Sequence, residues 1–100
     1  MKKIKQLTYV SDSRIHGQGL FARTTIVKNT IIGTLRGRPC KNDGCYVLWL
    51  SDTQGFKVSC DLKFINHADN PNACYYDNLS VVALRNIEAD EEITHNYESP

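Results

Sequence analysis

One hundred residues, 41% hydrophobic and 23% charged with 9% aromatic, support one hydrophobic core and exclude a second domain, a disordered chain and a collagen-like repeat. The net charge is only +1, against the strongly basic balance expected of a dedicated nucleic-acid binder. It hides two opposed halves: residues 1–41 carry nine Lys/Arg against Asp12 alone, so +8, and residues 42–100 carry three against ten Asp/Glu, so −7. The halves either solvate each other or leave an acidic face for a basic substrate. No run of eighteen apolar residues occurs and Met1-Lys2-Lys3-Ile4-Lys5-Gln6 leads into no apolar stretch. Neither a membrane span nor a secretory signal is expected, and the protein is expected to be intracellular, cytoplasmic or nuclear, with export as an effector left open.

In chain order, short apolar runs alternate with turn chemistry, and no 3.6-residue amphipathic period persists. Strands are predicted at 4–10, 19–23, 30–36, 45–50, 56–59, 73–76, 79–84 and 92–95, a mostly β fold. The separators are Asp12-Ser13, Lys28-Asn29, Asn42-Asp43-Gly44, residues 51–55 and Asp77-Asn78, all tolerant of turns. The one helical candidate, around Leu62-Lys63-Phe64-Ile65, is too short to stand without tertiary support. Cys40, Cys45, Cys60 and Cys74 are spaced C-x4-C-x14-C-x13-C, without the close pairs of structural zinc sites, so no metal site is expected. They read as buried reduced thiols, with a Cys40–Cys45 pair as the alternative.

Three segments carry possible chemistry. His16-Gly17-Gln18-Gly19 is a glycine-flanked turn whose bare backbone suits a ligand held by amide and carbonyl groups, or a plain hairpin. Residues 64–73 run from Phe64-Ile65 into Asn66-His67-Ala68-Asp69-Asn70-Pro71-Asn72, polar groups that need partners if they are partly buried. An Asx-type turn with Pro71 fixing φ and a binding loop both fit. Asp90-Glu91-Glu92-Ile93-Thr94-His95-Asn96-Tyr97 ends in a phenol, which at a strand end is ordinarily an amphipathic edge residue. No triad, carboxylate pair or phosphate loop accompanies them.

Taken in order, these segments resemble the signature of the SET domain, the β-fold of the protein-lysine methyltransferases. Gly17-Gln18-Gly19-Leu20-Phe21-Ala22 is similar to its G-x-G-L-F-A turn. Lys63-Phe64-Ile65-Asn66-His67 through Pro71-Asn72-Ala73 resembles R-F-I-N-H-S-C-x-P-N, and residues 90–97 resemble G-E-E-L-T-F-D-Y. The resemblance covers residues 8–97 and implies that residues 1–100 form a single minimal SET domain of β-clip type, several small sheets with a pseudoknot-like threading of the C-terminal segment under the loop that holds Asn66 and His67.

It also implies a function: transfer of a methyl group from S-adenosylmethionine to the ε-amine of a lysine in a protein. The cofactor would lie against His16, Gly17, Gln18 and Gly19, with Asn66 acting through its amide, His67 largely through its backbone, and Tyr97 as the catalytic phenol near the sulfonium. Such an in-line displacement asks the protein mainly to position the reactants, and a narrow apolar channel favours the neutral amine. Tyr46 and Trp49 are candidate channel walls, or core aromatics. The implied partner is a lysine-containing, basic protein, with no nucleic acid or membrane. Leu35-Arg36-Gly37 replaces the family's frequent Tyr-x-Gly, Ala68-Asp69 its Ser-Cys, and His95-Asn96 its Phe-Asp. Only Glu98-Ser99-Pro100 follow Tyr97, without a Cys-rich post-SET flank, so a homodimer partner or the substrate is expected to complete the site. The alternative is a catalytically weak or inactive SET-like module that binds a protein partner.

Overall fold

A computed structural model describes residues 7–42, 44, 46–49, 51, 53–76 and 78–96. β1 (Thr8–Asp12) and β2 (Gln18–Ala22) form an antiparallel hairpin in register from Thr8 opposite Ala22 to Asp12 opposite Gln18. Its turn is closed by the Ser13 amide donating to the Gly17 carbonyl at 2.8 Å. The Ser13 hydroxyl accepts the Ile15 and His16 amides at 2.9 and 3.3 Å, the local capping that makes serine a turn residue. The prediction for the first strand began at residue 4; the paired strand starts at Thr8, and residues 4–6 lie outside the described residues.

β3 (Ile31–Thr34) forms a three-stranded antiparallel sheet with β8 (Ala73–Tyr75) and β9 (Ser80–Ala83), in the order β3-β9-β8. All four residues of the central β9 are buried, as expected of a strand paired on both sides and covered by the core. A second such sheet, in the order β4-β6-β5, contains β4 (Gly37–Cys40), β5 (Val47–Trp49) and β6 (Gly55–Val58). β4 is absent from the predicted strands, and it carries Gly37 and Pro39, residue types that weaken a strand. It forms because it is an edge, where proline's missing N–H leaves no ladder bond unmade. Gly37 lies so close to the Lys57 carbonyl that any Cβ would overlap it.

A 3-10 turn (Asp61–Phe64) buries Leu62 and delivers the chain to β7 (Asn66–His67), which pairs in parallel with β10 (Thr94–His95), Thr94 opposite Asn66 and His95 opposite His67. The Ala68 amide extends this ladder to the His95 carbonyl at 3.1 Å. Parallel pairing brings together residues 28 apart in the chain, and it is the close passage of the C-terminal segment by the 66–67 loop that the resemblance implies. Leu20, Ala22, Ile26, Ile32, Leu62, Ile65, Val81, Ala83, Ile87 and Ile93, all at most 2% exposed, join the sheets in one core. No helix among the described residues is long and apolar enough to cross a membrane.

Asn72 locks the threaded segment. It is 2% exposed. Its side-chain nitrogen donates to the Glu92 carbonyl at 2.8 Å and the Glu91 carboxylate at 3.2 Å, its oxygen accepts the Thr94 amide at 2.9 Å, and its own amide donates to the Thr94 hydroxyl at 3.3 Å.

The cysteine expectation needs correction. Cys40, Cys60 and Cys74 are free but only half-buried, since β4 and β8, which carry Cys40 and Cys74, are sheet edges. Cys45 lies outside the described residues. Both ion pairs among the described residues, Arg85–Glu91 at 2.8 Å and His67–Asp69 at 3.4 Å, fall inside the acidic half.

His95 packs flat on Tyr75, ring centroids 3.9 Å apart at 20°. Burial lowers its pKa, a hydrogen bond with the Ala73 backbone works against this, and the neighbouring His67 adds to the lowering. A histidine whose native pKa is depressed is stable while neutral and loses stability as pH falls from its ordinary value of 6.5 through the native one. The melting temperature should therefore decline as pH drops from about 7 to 5, and His95→Phe should flatten that slope. Equal slopes in thermal melts across this range would exclude His95 as the source.

Candidate functional site

The turn before β2 and the strand β7 meet through one side chain. The Asn66 amide nitrogen lies 3.0 Å from the His16 carbonyl, 3.2 Å from the Gln18 carbonyl and 2.9 Å from Glu92 Oε2. Three acceptors around one atom identify it as the nitrogen and use both of its hydrogens. Asn66 Oδ1 makes no hydrogen bond among the described residues and remains an acceptor for a ligand donor. His16, Gly17 and Gln18 are exposed, and with Asn66, Tyr46, Lys63 and Phe64 they line a cleft of about 150 Å³.

Glu92 holds this arrangement from behind. Its carboxylate accepts the Ser13 hydroxyl at 2.8 Å on both oxygens and the Asn66 amide on Oε2, so one side chain ties turn, β7 and the approach to β10. The two glycines consequently have different reasons. Gly17 has φ +48° with nothing within 4 Å of the place a Cβ would take, so it serves the turn's conformation and leaves bare backbone toward the cleft. Gly19 is buried, and a Cβ on it would overlap Glu92 Oε2. The second glycine makes room for an internal carboxylate, a reason apart from the ligand-facing backbone expected of both.

The other predicted residues divide. Tyr46 lines the cleft, with φ +64°, a left-handed backbone that is costly for a tyrosine. Its ring meets Phe64 edge-on at 5.8 Å, and Lys63 Nζ stands 5.0 Å from its centroid and 5.1 Å from that of Phe64. A second cleft of about 520 Å³ adjoins, sharing Tyr46 and Lys63 as walls. Trp49, 39% exposed on β5, lines neither. His67 keeps its backbone in the ladder with β10 while its ring turns to Asp69; it too lies off the 150 Å³ cleft. Tyr97 lies outside the described residues, one position after Asn96.

Sequence reasoning passed over Ser13, Glu92 and the lining role of Lys63 and Phe64. Lys63 and Phe64 were detectable, standing in the same motif as Asn66. Ser13 and Glu92 are 79 positions apart, and no local pattern links them.

A hairpin turn, a β7 loop and the C-terminal segment that threads beside it are thus joined at one asparagine. The family model for the SET domain matches residues 17–98, and the chain belongs to the SET-domain family. In overall fold it is similar to the crystal structure of a candidate histone methyltransferase from Plasmodium falciparum. The TM-score is 0.79 at 24% identity, over 100% of this chain and 97% of that one.

Proposed function

We propose that the protein transfers a methyl group from S-adenosylmethionine to the ε-amine of a lysine in a protein substrate. The observation that carries this reading is the fixed Asn66 amide: both hydrogens are spent on the 16–18 turn and Glu92, which leaves Oδ1 as the spare acceptor of a side chain that lines a cleft together with a lysine. An acceptor and a cation facing one small space suit the ammonium and carboxylate of an amino acid. The 150 Å³ cleft is smaller than the ~300–1,000 Å³ of whole-ligand pockets, the scale of such an end group rather than of the entire nucleoside. Bound there, S-adenosylmethionine supplies a methyl group already activated by its positive sulfur.

The residues' part is then positional. Asn66 and Lys63 orient the amino-acid end, and the backbone of 16–18 bounds it. The rings of Tyr46 and Phe64 wall the space beside it, and the Lys63 ammonium over them favours an uncharged amine nearby. Tyr97, the motif's final phenol, offers a polarised oxygen to the reacting centre.

Calorimetric titration with S-adenosylmethionine and transfer of labelled methyl to lysine-containing proteins test the reading together. Binding and labelled lysine are expected. In Tyr97→Phe, transfer should fall by at least about a hundredfold, the scale of one lost electrostatic contact at a reacting centre, with cofactor affinity within a factor of about three. Absent binding, with and without protein substrate, would sink the function; undiminished turnover in the variant would remove Tyr97 from it.

A further inference from the structure

Three cations meet in the 520 Å³ cleft. Arg38 on β4 and Lys57 on β6 are register partners, so their side chains leave the same face of the ladder side by side, a like-charge placement that destabilises a sheet. Lys63 joins them from the 3-10 turn, and the Tyr46 and Ser59 side chains complete the polar lining. None of the three cations makes an ion pair among the described residues; the two pairs present use Arg85 and His67. Asp61 shares the 3-10 turn with Lys63 but does not line the cleft. Arg38 and Lys57 are exposed and Lys63 half-buried; a group of like charges held side by side lowers its energy by taking up an anion, and guanidinium and ammonium groups beside hydroxyls match a carboxylate.

Position adds to sign. Tyr46 and Lys63 also wall the smaller cleft, so a ligand in the basic cleft lies against the site proposed for methyl transfer. A nucleic-acid track needs cations spread along a surface to follow successive phosphates. Here they gather in one pocket, and the Glu92 carboxylate stands behind Asn66 in the next. We propose that the basic cleft takes Asp or Glu side chains of the protein substrate, and that the lysine accepted is one with acidic neighbours. This rests on the methyltransferase reading for its place in the reaction, and its sign is opposite to the basic substrate suggested by the acidic half of the sequence.

The test is fluorescence anisotropy of three labelled peptides identical but for Glu, Ala or Arg on either side of one lysine, titrated with the full chain at low salt. Glu-flanked peptide should bind at least tenfold tighter than Arg-flanked peptide, and added salt should narrow the gap. The double variant Arg38→Glu/Lys57→Glu should reverse the order. Arg38→Gln/Lys57→Gln, which removes the repulsion and is the safer variant for folding, should shrink the preference to the part that Lys63 alone supplies. Equal affinities for the three peptides, a preference undiminished in the glutamine variant, or displacement of the peptide by a short single-stranded oligonucleotide that binds more tightly would each overturn the proposal. A parallel titration with S-adenosylmethionine separates the two readings. Cofactor binding without peptide preference removes only the acidic subsite, and peptide preference without cofactor binding removes the methyltransferase.

Discussion

Asn72→Ala is expected to lower the melting temperature by more than about 10 °C. The substitution leaves the Thr94 amide and the Glu92 carbonyl without the partners they have at 2.9 and 2.8 Å, in a place where Asn72 itself is 2% exposed. An orphaned buried donor or acceptor costs about 1–3 kcal/mol, so two of them together remove about 2–6 kcal/mol. For a chain of this length each kcal/mol is worth about 4–8 °C. Asn72→Asp keeps the acceptor for Thr94 but replaces both donor contacts with a second carboxylate beside Glu91. Glu91 shows why that is unfavourable. Burial alone would raise its pKa, yet the Glu88 amide, Arg85 and Asn72 together hold it below its ordinary value. The aspartate variant should thus be destabilised as well, most strongly at neutral pH, where both groups are charged. A melt of Asn72→Ala within about 4 °C of wild type would show that the threaded segment is held elsewhere.

Gly19→Ala should cost the protein both stability and cofactor affinity, and the cost should depend on Glu92. Gly19 has no left-handed backbone that would bar alanine; the obstacle is Glu92 Oε2, which the new methyl would overlap. Moving the carboxylate breaks its bonds to Ser13 and Asn66, frees the Asn66 amide to rotate and loosens the 16–18 turn. A fall of at least tenfold in S-adenosylmethionine affinity is expected. In a Glu92→Ala background the carboxylate is gone and only the 3.1 Å approach to Ser13 Cβ remains, so the same Gly19→Ala change should add less. The cycle of four proteins should show a coupling of about 1–3 kcal/mol in melting free energy, within the range for contacting residues. Additive effects would mean that Gly19 is required for something other than the carboxylate behind it.

Much of the fold was legible before the structure. The β2, β3, β5, β6, β8, β9 and β10 regions and the 3-10 turn at Asp61–Phe64 lie where apolar runs and turn residues indicated, because in a chain of short strands those local signals decide where extended backbone stops. β4 and β7 were not legible. β4 carries Gly and Pro and becomes a strand only because β6 is there to pair with it on one side; β7 is two residues long and exists through its parallel partner 28 positions later.

The site divides in the same way. The residue types and order of 17–22, 63–73 and 90–97 determined by themselves the family and the side chains to suspect, since such motifs are written in consecutive residues. Folding alone decided which of them meet: that Asn66 spends its nitrogen on His16, Gln18 and Glu92, that Gly19 yields its space to a carboxylate, that Trp49 stands apart from both clefts, and that Arg38, Lys57 and Lys63 share one. These contacts join residues up to 73 positions apart, Gly19 and Glu92 being the farthest, and which pairs form is settled by strand register and core packing, neither of which a local stretch of chain encodes.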